Sequence, residues 1–154
     1  LPGGYPELYL AALSANRQML QSIRRYVESG GKLLAECGGM MYLCDEIRDK
    51  NGYVYPMAGV LHQSATMENM KLRLGYRTLL YNETRLKGHE FHYSRLVEQQ
   101  NPLPSCAVAY TAKGVETDTP LYHYKNVWAG YTHLYWADPV GNEWFTKFVI
   151  DGNI

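Results

Sequence analysis

The sequence is short of cysteine, of net charge and of long apolar runs, and each shortage argues against a class of function. Its 3 cysteines show no repeated spacing, so neither a disulfide framework nor a zinc knuckle is indicated. Fifteen basic residues balance fifteen acidic ones, which leaves no broad field to attract nucleic acid or an anionic membrane. No run approaches the roughly eighteen apolar residues of a membrane span, and the first residues do not show the charged-then-apolar pattern of a leader. We therefore expect a soluble, cytoplasmic protein without nucleic-acid or membrane partners.

What the sequence does contain is enough for one folded domain. The chain has 154 residues, of which 46% are apolar, and this suffices for a hydrophobic core. It opens without Met on LPGGYPE at 1–7, a glycine turn of the kind that normally follows a strand. We therefore expect a piece of a longer chain, cut just before or inside a motif. No repeat or linker divides it, so one domain over 1–154 is predicted.

Apolar spacing predicts both helices and strands along the chain. Helical spacing covers 6–29 with a break near 14–16, and Gly30-Gly31 supplies a stop. Tyrosine-rich, partly alternating stretches predict strands further along. The predicted strands are 32–36, 71–81, 88–96, 106–111, 120–123 and 127–132, and the other predicted helices are 38–47 and 141–150.

The segment AECGGMMYLCDEI at 35–47 puts Cys37 between a buried strand and a helix. A nucleophile at such a turn is lifted out of the sheet edge and needs small neighbours, which Gly38 provides. The helix N-terminus favours the thiolate and can hold an oxyanion. Spacing alone is equally consistent with a small buried residue at Cys37, and it predicts core roles for Cys44 and Cys106.

A reactive thiol needs a base, and five histidines are available. His133 follows the strand predicted for 127–132 and precedes an Asp-Pro pair that starts a helix. From this strand-end position its side chain can reach a neighbouring strand. A structural histidine among tyrosines and tryptophans fits the same spacing.

The polar segment GHEFHYS at 88–94 is predicted to be a strand with alternating faces. Glu90, His92 and Ser94 would share one face, and His89, Phe91 and Tyr93 the other. Two histidines around one glutamate do not match the helical H-E-x-x-H zinc spacing, so no metal site is predicted.

Several segments in order carry a resemblance to a known family. They are PGGYPE at 2–7, AECGGMMYL at 35–43, GHEFHYS at 88–94 and GYTHLYW at 130–136. Together they resemble the glutamine amidotransferase domain of cobyrinate a,c-diamide synthases. The resemblance implies an α/β fold of the class I amidotransferase type, a flavodoxin-like three-layer sandwich that lacks its first strands here. It also implies an ATP-binding synthetase domain N-terminal to these residues, which themselves contain no phosphate-binding G-x-x-x-x-G-K-[ST] loop.

The resemblance also implies the site. Cys37 would attack glutamine, and His133 would serve as its base in a Cys-His dyad. The backbone N–H groups of Gly4 and Gly38 would form the oxyanion hole. Glutamine would be bound by Tyr93, Ser94 and Glu7. Triad relatives carry a Glu two residues after the histidine, where Tyr135 stands here, so something else, such as a backbone carbonyl, is expected to orient His133.

The function implied is the glutaminase half of an ATP-dependent amidoligase. Ammonia from L-glutamine would amidate the a and c acetates of cobyrinate, with ATP and Mg²⁺ held by the synthetase domain and no cofactor in this one. Hydrogenobyrinate and nickel-sirohydrochlorin are alternative acceptors, and a homo-oligomer is compatible with the resemblance. We expect the isolated chain to be weak or inactive. Rival hypotheses are a Cys-elbow hydrolase of the DJ-1/PfpI-like type and a degenerate, non-catalytic scaffold.

Overall fold

Helices occupy parts of the first third and the end of residues 1–150, the part of the chain that the computed structural model describes, and strands follow one another between them. The helical elements are a 3-10 turn at Pro6–Leu8 and the helices α1 (Leu10–Ala15), α2 (Arg17–Glu28), α3 (Gly38–Leu43) and α4 (Pro139–Ile150). The strands are β1 (Leu33–Glu36), β2 (Glu46–Arg48), β3 (Val54–Pro56), β4 (Ser64–Thr66), β5 (Arg73–Tyr81), β6 (Thr84–His92), β7 (Arg95–Leu96), β8 (Val108–Thr111), β9 (Glu116–Thr117), β10 (Leu121–Tyr124), β11 (Val127–Gly130) and β12 (His133–Leu134).

A three-stranded sheet in the order β1-β11-β10 positions the features that matter for function. Strands β1 and β11 run parallel, with Glu36 opposite Gly130. Their carboxyl ends therefore lie at one edge, the edge at which α/β proteins place their sites. The backbone of Leu1 runs beside β1: its nitrogen donates to the Leu34 carbonyl at 2.8 Å, and its carbonyl accepts from Glu36 N–H at 3.0 Å.

The predicted break in the first helical region is confirmed, because α1 ends at Ala15 and α2 begins at Arg17. Asn16 caps α2, its side chain accepting a hydrogen bond from Met19 N–H at 3.2 Å. Gly30, at φ +89°, ends the helix as predicted.

The helix predicted for 38–47 is too long. Helix α3 ends at Leu43, and Glu46–Arg48 form strand β2 instead. Cys44 is already extended, and β2 pairs with β3 on one side and β4 on the other, neither of which was predicted. Pairing within this four-stranded sheet, in the order β3-β2-β4-β7, overrides the local helical preference.

A five-stranded sheet in the order β12-β6-β5-β8-β9 is built on the long β5–β6 hairpin. The strand predicted for 71–81 is confirmed at 73–81, whereas that predicted for 88–96 begins earlier, at Thr84, and ends at His92. Strand β12 pairs with β6 so that His133 lies opposite His89. The hairpin is thus paired with the segment that follows β11 of the three-stranded sheet.

Two apolar cores cover the two faces of the three-stranded sheet β1-β11-β10. One contains α3, with Met40 and Leu43 fully buried, and the other contains Trp128, which meets Trp144 edge-on at 5.0 Å. The alternation of β11 explains the split, since Val127 and Ala129 belong to the first core and Trp128 to the second. Within residues 1–150 no helix combines the length and apolar character needed to cross a membrane.

Candidate active site

Cys37 occupies a strained turn between β1 and α3. Its φ of 49° and ψ of −110° are rare for a residue with a side chain, and such strain costs about 1–3 kcal/mol. Its backbone N–H donates to the Gly130 carbonyl at 2.8 Å, which fixes the turn to the end of β11. We call Glu36–Gly38 the cysteine elbow. This is the strand-to-helix geometry that the spacing predicted.

Glycine is required where the N-terminal turn meets the elbow. A Cβ at Gly38 would lie 2.5 Å from the Gly4 carbonyl oxygen and 2.8 Å from Cδ of Pro6. The turn at Gly3–Gly4 therefore packs directly on the first residue of α3. The predicted close approach is present, and the assignment of Gly4 and Gly38 to an oxyanion hole remains a prediction.

His133 lies at the same edge, at the start of β12. Its imidazole stacks on that of His89 with ring centroids 4.9 Å apart, and a Cβ at Gly3 would lie 2.2 Å from its Cε1 atom. Its Nδ1 atom is 3.9 Å from Oε2 of Glu36. Burial lowers the pKa of His133, and the neighbouring His89 and His92 lower it further. The imidazole is therefore neutral at pH 7 and able to accept a proton.

The thiol of Cys37 is protonated at rest, contrary to the expected thiolate. Burial raises its pKa to about 11, although the Gly38 N–H acts in the opposite direction. The carboxylates of Glu7, Glu90 and Glu36 raise it further. A base must therefore take the proton as the sulfur reacts, since the helix terminus does not remove it beforehand.

Strand β6 passes beside the thiol, with the Phe91 carbonyl oxygen 3.8 Å from Cys37 Sγ. Its alternation is as predicted, with Glu90 and His92 buried and Phe91 exposed. Tyr93 directly follows β6, is 39% exposed, and packs edge-on against Phe91. We call the surface formed by these two rings the exposed face of β6.

The other two predicted glutamine ligands are placed differently from Tyr93. Ser94 is buried, and its hydroxyl donates towards Tyr131 Oη at 3.0 Å and Met41 Sδ at 3.2 Å. Glu7 lies in the 3-10 turn, where burial raises its pKa. It follows Pro6, which packs against Gly38 of the elbow, and its carboxylate raises the pKa of the Cys37 thiol. Glu7 therefore lies beside the elbow, while the Ser94 hydroxyl faces the core.

A buried polar cluster beneath β6 was not predicted from the sequence. Arg77 Nη2 lies 2.6 Å from Oε2 of the fully buried Glu90, and His92 stacks on Tyr131 with centroids 3.7 Å apart. A cavity of about 220 Å³ adjoins Glu90, His92 and Tyr131. The available signal was Arg77 itself, a cation within an otherwise half-apolar strand.

Glu36, like the buried polar cluster, was assigned no role from the sequence. It is the last residue of β1, and its Oε1 atom accepts the Leu134 backbone N–H at 3.0 Å. Burial raises its pKa, and the Leu134 hydrogen bond opposes that rise. A carboxylate next to the elbow on a short apolar strand was the signal available in the sequence.

Comparisons with known proteins show what this chain is similar to. The sequence profile described as "CobB/CobQ-like glutamine amidotransferase domain" matches residues 1–140. A hydrogenobyrinate a,c-diamide synthase of Stutzerimonas stutzeri is 38% identical over 91% of this chain and 32% of its own length. A cobyrinate a,c-diamide synthase of Salmonella typhimurium is 34% identical over 89% of this chain and 32% of its own length. The chain thus spans about a third of these relatives.

A solved crystal structure of a glutamine amidotransferase superposes on 99% of this chain and 77% of its own, with a TM-score of 0.61 and 18% identity. At that identity the match shows the fold alone. It confirms the fold class predicted from the sequence, a mixed α/β structure of the class I amidotransferase type.

Proposed function

The chain belongs to the CobB/CobQ-like glutamine amidotransferase family, and from that premise we propose that it hydrolyses glutamine at Cys37 and releases ammonia for an amidation. The observation that carries the proposal is the strained backbone of Cys37, at φ 49°. A buried cysteine that only packs has no use for this conformation, whereas a nucleophile presented from a strand end requires it.

The proposed reaction begins with attack of the Cys37 sulfur on the side-chain carbonyl carbon of glutamine. His133 takes the thiol proton as the C–S bond forms, and the carbonyl oxygen becomes an oxyanion. The intermediate then collapses with cleavage of the C–N bond, and the proton held by His133 departs with ammonia. The same imidazole then takes a proton from a water molecule as that water attacks the thioester carbon. Cleavage of the C–S bond releases glutamate, and the imidazole returns the proton to the Cys37 sulfur.

The pKa directions at the site support this division of labour. A thiol whose pKa is raised to about 11 keeps its proton until the base removes it. Burial lowers the pKa of His133, so the imidazole is unprotonated and available as that base. The Gly4 and Gly38 backbones, which meet at the elbow, would receive the oxyanion.

Glutamine itself would lie against the exposed face of β6. Tyr93 is exposed there, and Glu7 lies beside the elbow. Ser94 would act through the backbone or through Tyr131, because its hydroxyl is already hydrogen-bonded inward.

Ammonia would be used by a synthetase domain of a longer protein, since the relatives are about three times as long as the chain. There ATP and Mg²⁺ would activate an acetate carboxylate, and ammonia would then convert the activated acid into the amide. The acceptor would be a corrinoid or related tetrapyrrole. Cobyrinate and hydrogenobyrinate are both supported, because relatives named for each match at 34% and 38% identity.

The test is covalent labelling with 6-diazo-5-oxo-norleucine, a reactive glutamine mimic, followed by peptide mapping. We expect one adduct at Cys37, prevented by excess glutamine and absent from Cys37→Ala. Cys44 is an internal control, because it is buried in the core and should stay unlabelled. Absence of labelling in both this chain and the full-length protein would contradict the proposal.

A further inference from the structure

A histidine that takes a proton through one ring nitrogen must carry hydrogen on the other. A neighbouring acceptor selects this tautomer and holds the ring in place. The side chain two residues after His133 is not a carboxylate: it is Tyr135, which is uncharged and 59% exposed. The structure must therefore supply the acceptor from elsewhere.

Glu36 is the carboxylate that faces the imidazole. Its Oε1 atom accepts the Leu134 N–H at 3.0 Å, and its Oε2 atom lies 3.9 Å from His133 Nδ1. The side chains are 16% and 25% exposed, so water screens the pair little. Glu36 also directly precedes Cys37 on β1, which ties nucleophile and base to one strand end.

We propose that Glu36 is the positioning residue of the site: its carboxylate fixes His133 as the Nδ1–H tautomer and leaves Nε2 to accept the Cys37 proton. The consequence for catalysis rests on the proposed function, whereas the tautomer does not. Glu36 thus takes the orienting role that the sequence left to something such as a backbone carbonyl.

The surroundings of the ring favour this arrangement. His89 stacks on one part of the imidazole, and Gly3 leaves no free space at Cε1, so the ring has little room to turn. The separation of 3.9 Å is longer than a hydrogen bond, but catalytic hydrogen bonds are commonly long before substrate binds and shorten in the complex. A small movement of either side chain closes the gap.

The two oxygens of Glu36 make a discriminating substitution available. In Glu36→Gln the amide oxygen must keep the Leu134 N–H, since that donor would otherwise be buried and unpaired. The amide NH₂ then faces His133 Nδ1, which becomes an acceptor, and the ring hydrogen moves to Nε2. The variant therefore keeps the structural hydrogen bond and inverts the tautomer.

The experiment combines kinetics with ¹⁵N NMR of histidine-labelled protein, using His133→Asn to assign the signals. In the wild type we expect His133 to be Nδ1–H, and in Glu36→Gln to be Nε2–H. Glutamine hydrolysis by the full-length protein should lose about 100-fold in kcat, the scale of general-base catalysis, with KM changed less than about twofold.

Glu46→Gln is the matched control. Glu46 is also a partly buried strand carboxylate, 25% exposed and hydrogen-bonded to Arg48 at 2.9 Å, but it belongs to the four-stranded sheet. It should leave both the tautomer and kcat unchanged.

The outcomes separate this inference from the proposed function. A wild-type His133 that is Nε2–H, or a Glu36→Gln variant that keeps wild-type tautomer and kcat, would overturn the role of Glu36. Inversion of the tautomer in a protein whose wild type never hydrolyses glutamine would support Glu36 as the positioning residue and overturn the proposed function instead.

Discussion

Helix α3 has a buried cysteine at each end, and the two differ in backbone conformation and in their neighbours. Cys37 precedes the helix and is 5% exposed, while Cys44 follows it and is 0% exposed. Burial raises the pKa of both thiols above the usual cysteine value. The backbone of Cys44 is ordinary and extended, at φ −61° and ψ 169°, whereas that of Cys37 is strained, at φ 49° and ψ −110°.

The surroundings of the two thiols explain the difference. Cys44 Sγ contacts Met40, with the carbonyl oxygen at 3.6 Å and Sδ at 4.0 Å, as a small core side chain does. Cys37 has a glutamate before it, a glycine after it and the Phe91 carbonyl 3.8 Å from its sulfur. Burial alone therefore does not mark a reactive cysteine, and the strained backbone with its polar neighbours does.

The largest expected difference between the two ends is in glutamine hydrolysis. Cys37→Ala should lower glutamine-dependent synthesis by at least about 1,000-fold in the full-length protein, because the nucleophile is lost. Ammonia-dependent synthesis should survive, since added ammonia bypasses the site. Cys44→Ala should keep both activities and lose some stability from the core. Equal loss of both activities in Cys37→Ala would contradict the assignment.

The two thiols should also differ in their reaction with iodoacetamide. Only the thiolate reacts, so with a pKa of about 11 the alkylation rate of Cys37 should rise about tenfold per pH unit, or about 100-fold from pH 8 to pH 10. Cys44 should react only after unfolding. Rates measured by mass spectrometry that level off near pH 8 at Cys37 would mean that the thiolate is stabilised after all.

Two glycines near the elbow allow packing and catalysis to be separated. In Gly38→Ala the new Cβ meets the Gly4 backbone at 2.5 Å, which should destabilise the fold by about 1–3 kcal/mol. In Gly3→Ala the three atoms nearest to the new Cβ all belong to the His133 ring, the closest at 2.2 Å, so the imidazole rather than the backbone is displaced. We expect Gly3→Ala to unfold close to the wild-type temperature but to lose about tenfold or more in kcat.

Gly4→Ala is a folding control for both, because a Cβ there has no atom within 4 Å. Thermal unfolding of the three variants should rank Gly38→Ala below the other two. A Gly3→Ala variant as active as the wild type would show that the imidazole position near Gly3 does not matter.

The sequence predicted the elbow well because its determinants are local. A short apolar run, a cysteine and two glycines specify a strand, a tight turn and a helix start regardless of the rest of the chain. The end of α3 depended on distant partners instead, since β2 exists only because β3 and β4 pair with it. For this reason the helix was predicted four residues too far, to residue 47 rather than Leu43.

Side-chain contacts between distant segments were the other limit. Glu36 meets Leu134 across 98 positions of sequence, and Arg77 reaches Glu90 across the β5–β6 hairpin. Neither pair has a spacing signature. The thiolate expected at Cys37 was wrong for the same reason: the helix terminus is local, while the burial that raises the pKa of the thiol, and the carboxylates of Glu7 and Glu90 that add to it, arise only through folding.

The smallest expected effect concerns stability at alkaline pH. The Cys37 thiol has a pKa of about 11 when folded, whereas the unfolded thiol has the ordinary pKa of about 9. Between these values the native state binds more protons than the unfolded state, so stability falls as pH rises. From pH 8 to pH 10 this one group should lower the free energy of unfolding by about 1 kcal/mol.

The measurement is urea unfolding at each pH. Cys37→Ala should lose correspondingly less stability than the wild type over that range, and Cys44→Ala should also lose less. Identical pH dependence in Cys37→Ala and the wild type would show that burial does not hold the proton on Cys37, and the two thiols would then differ in pKa as well as in backbone conformation.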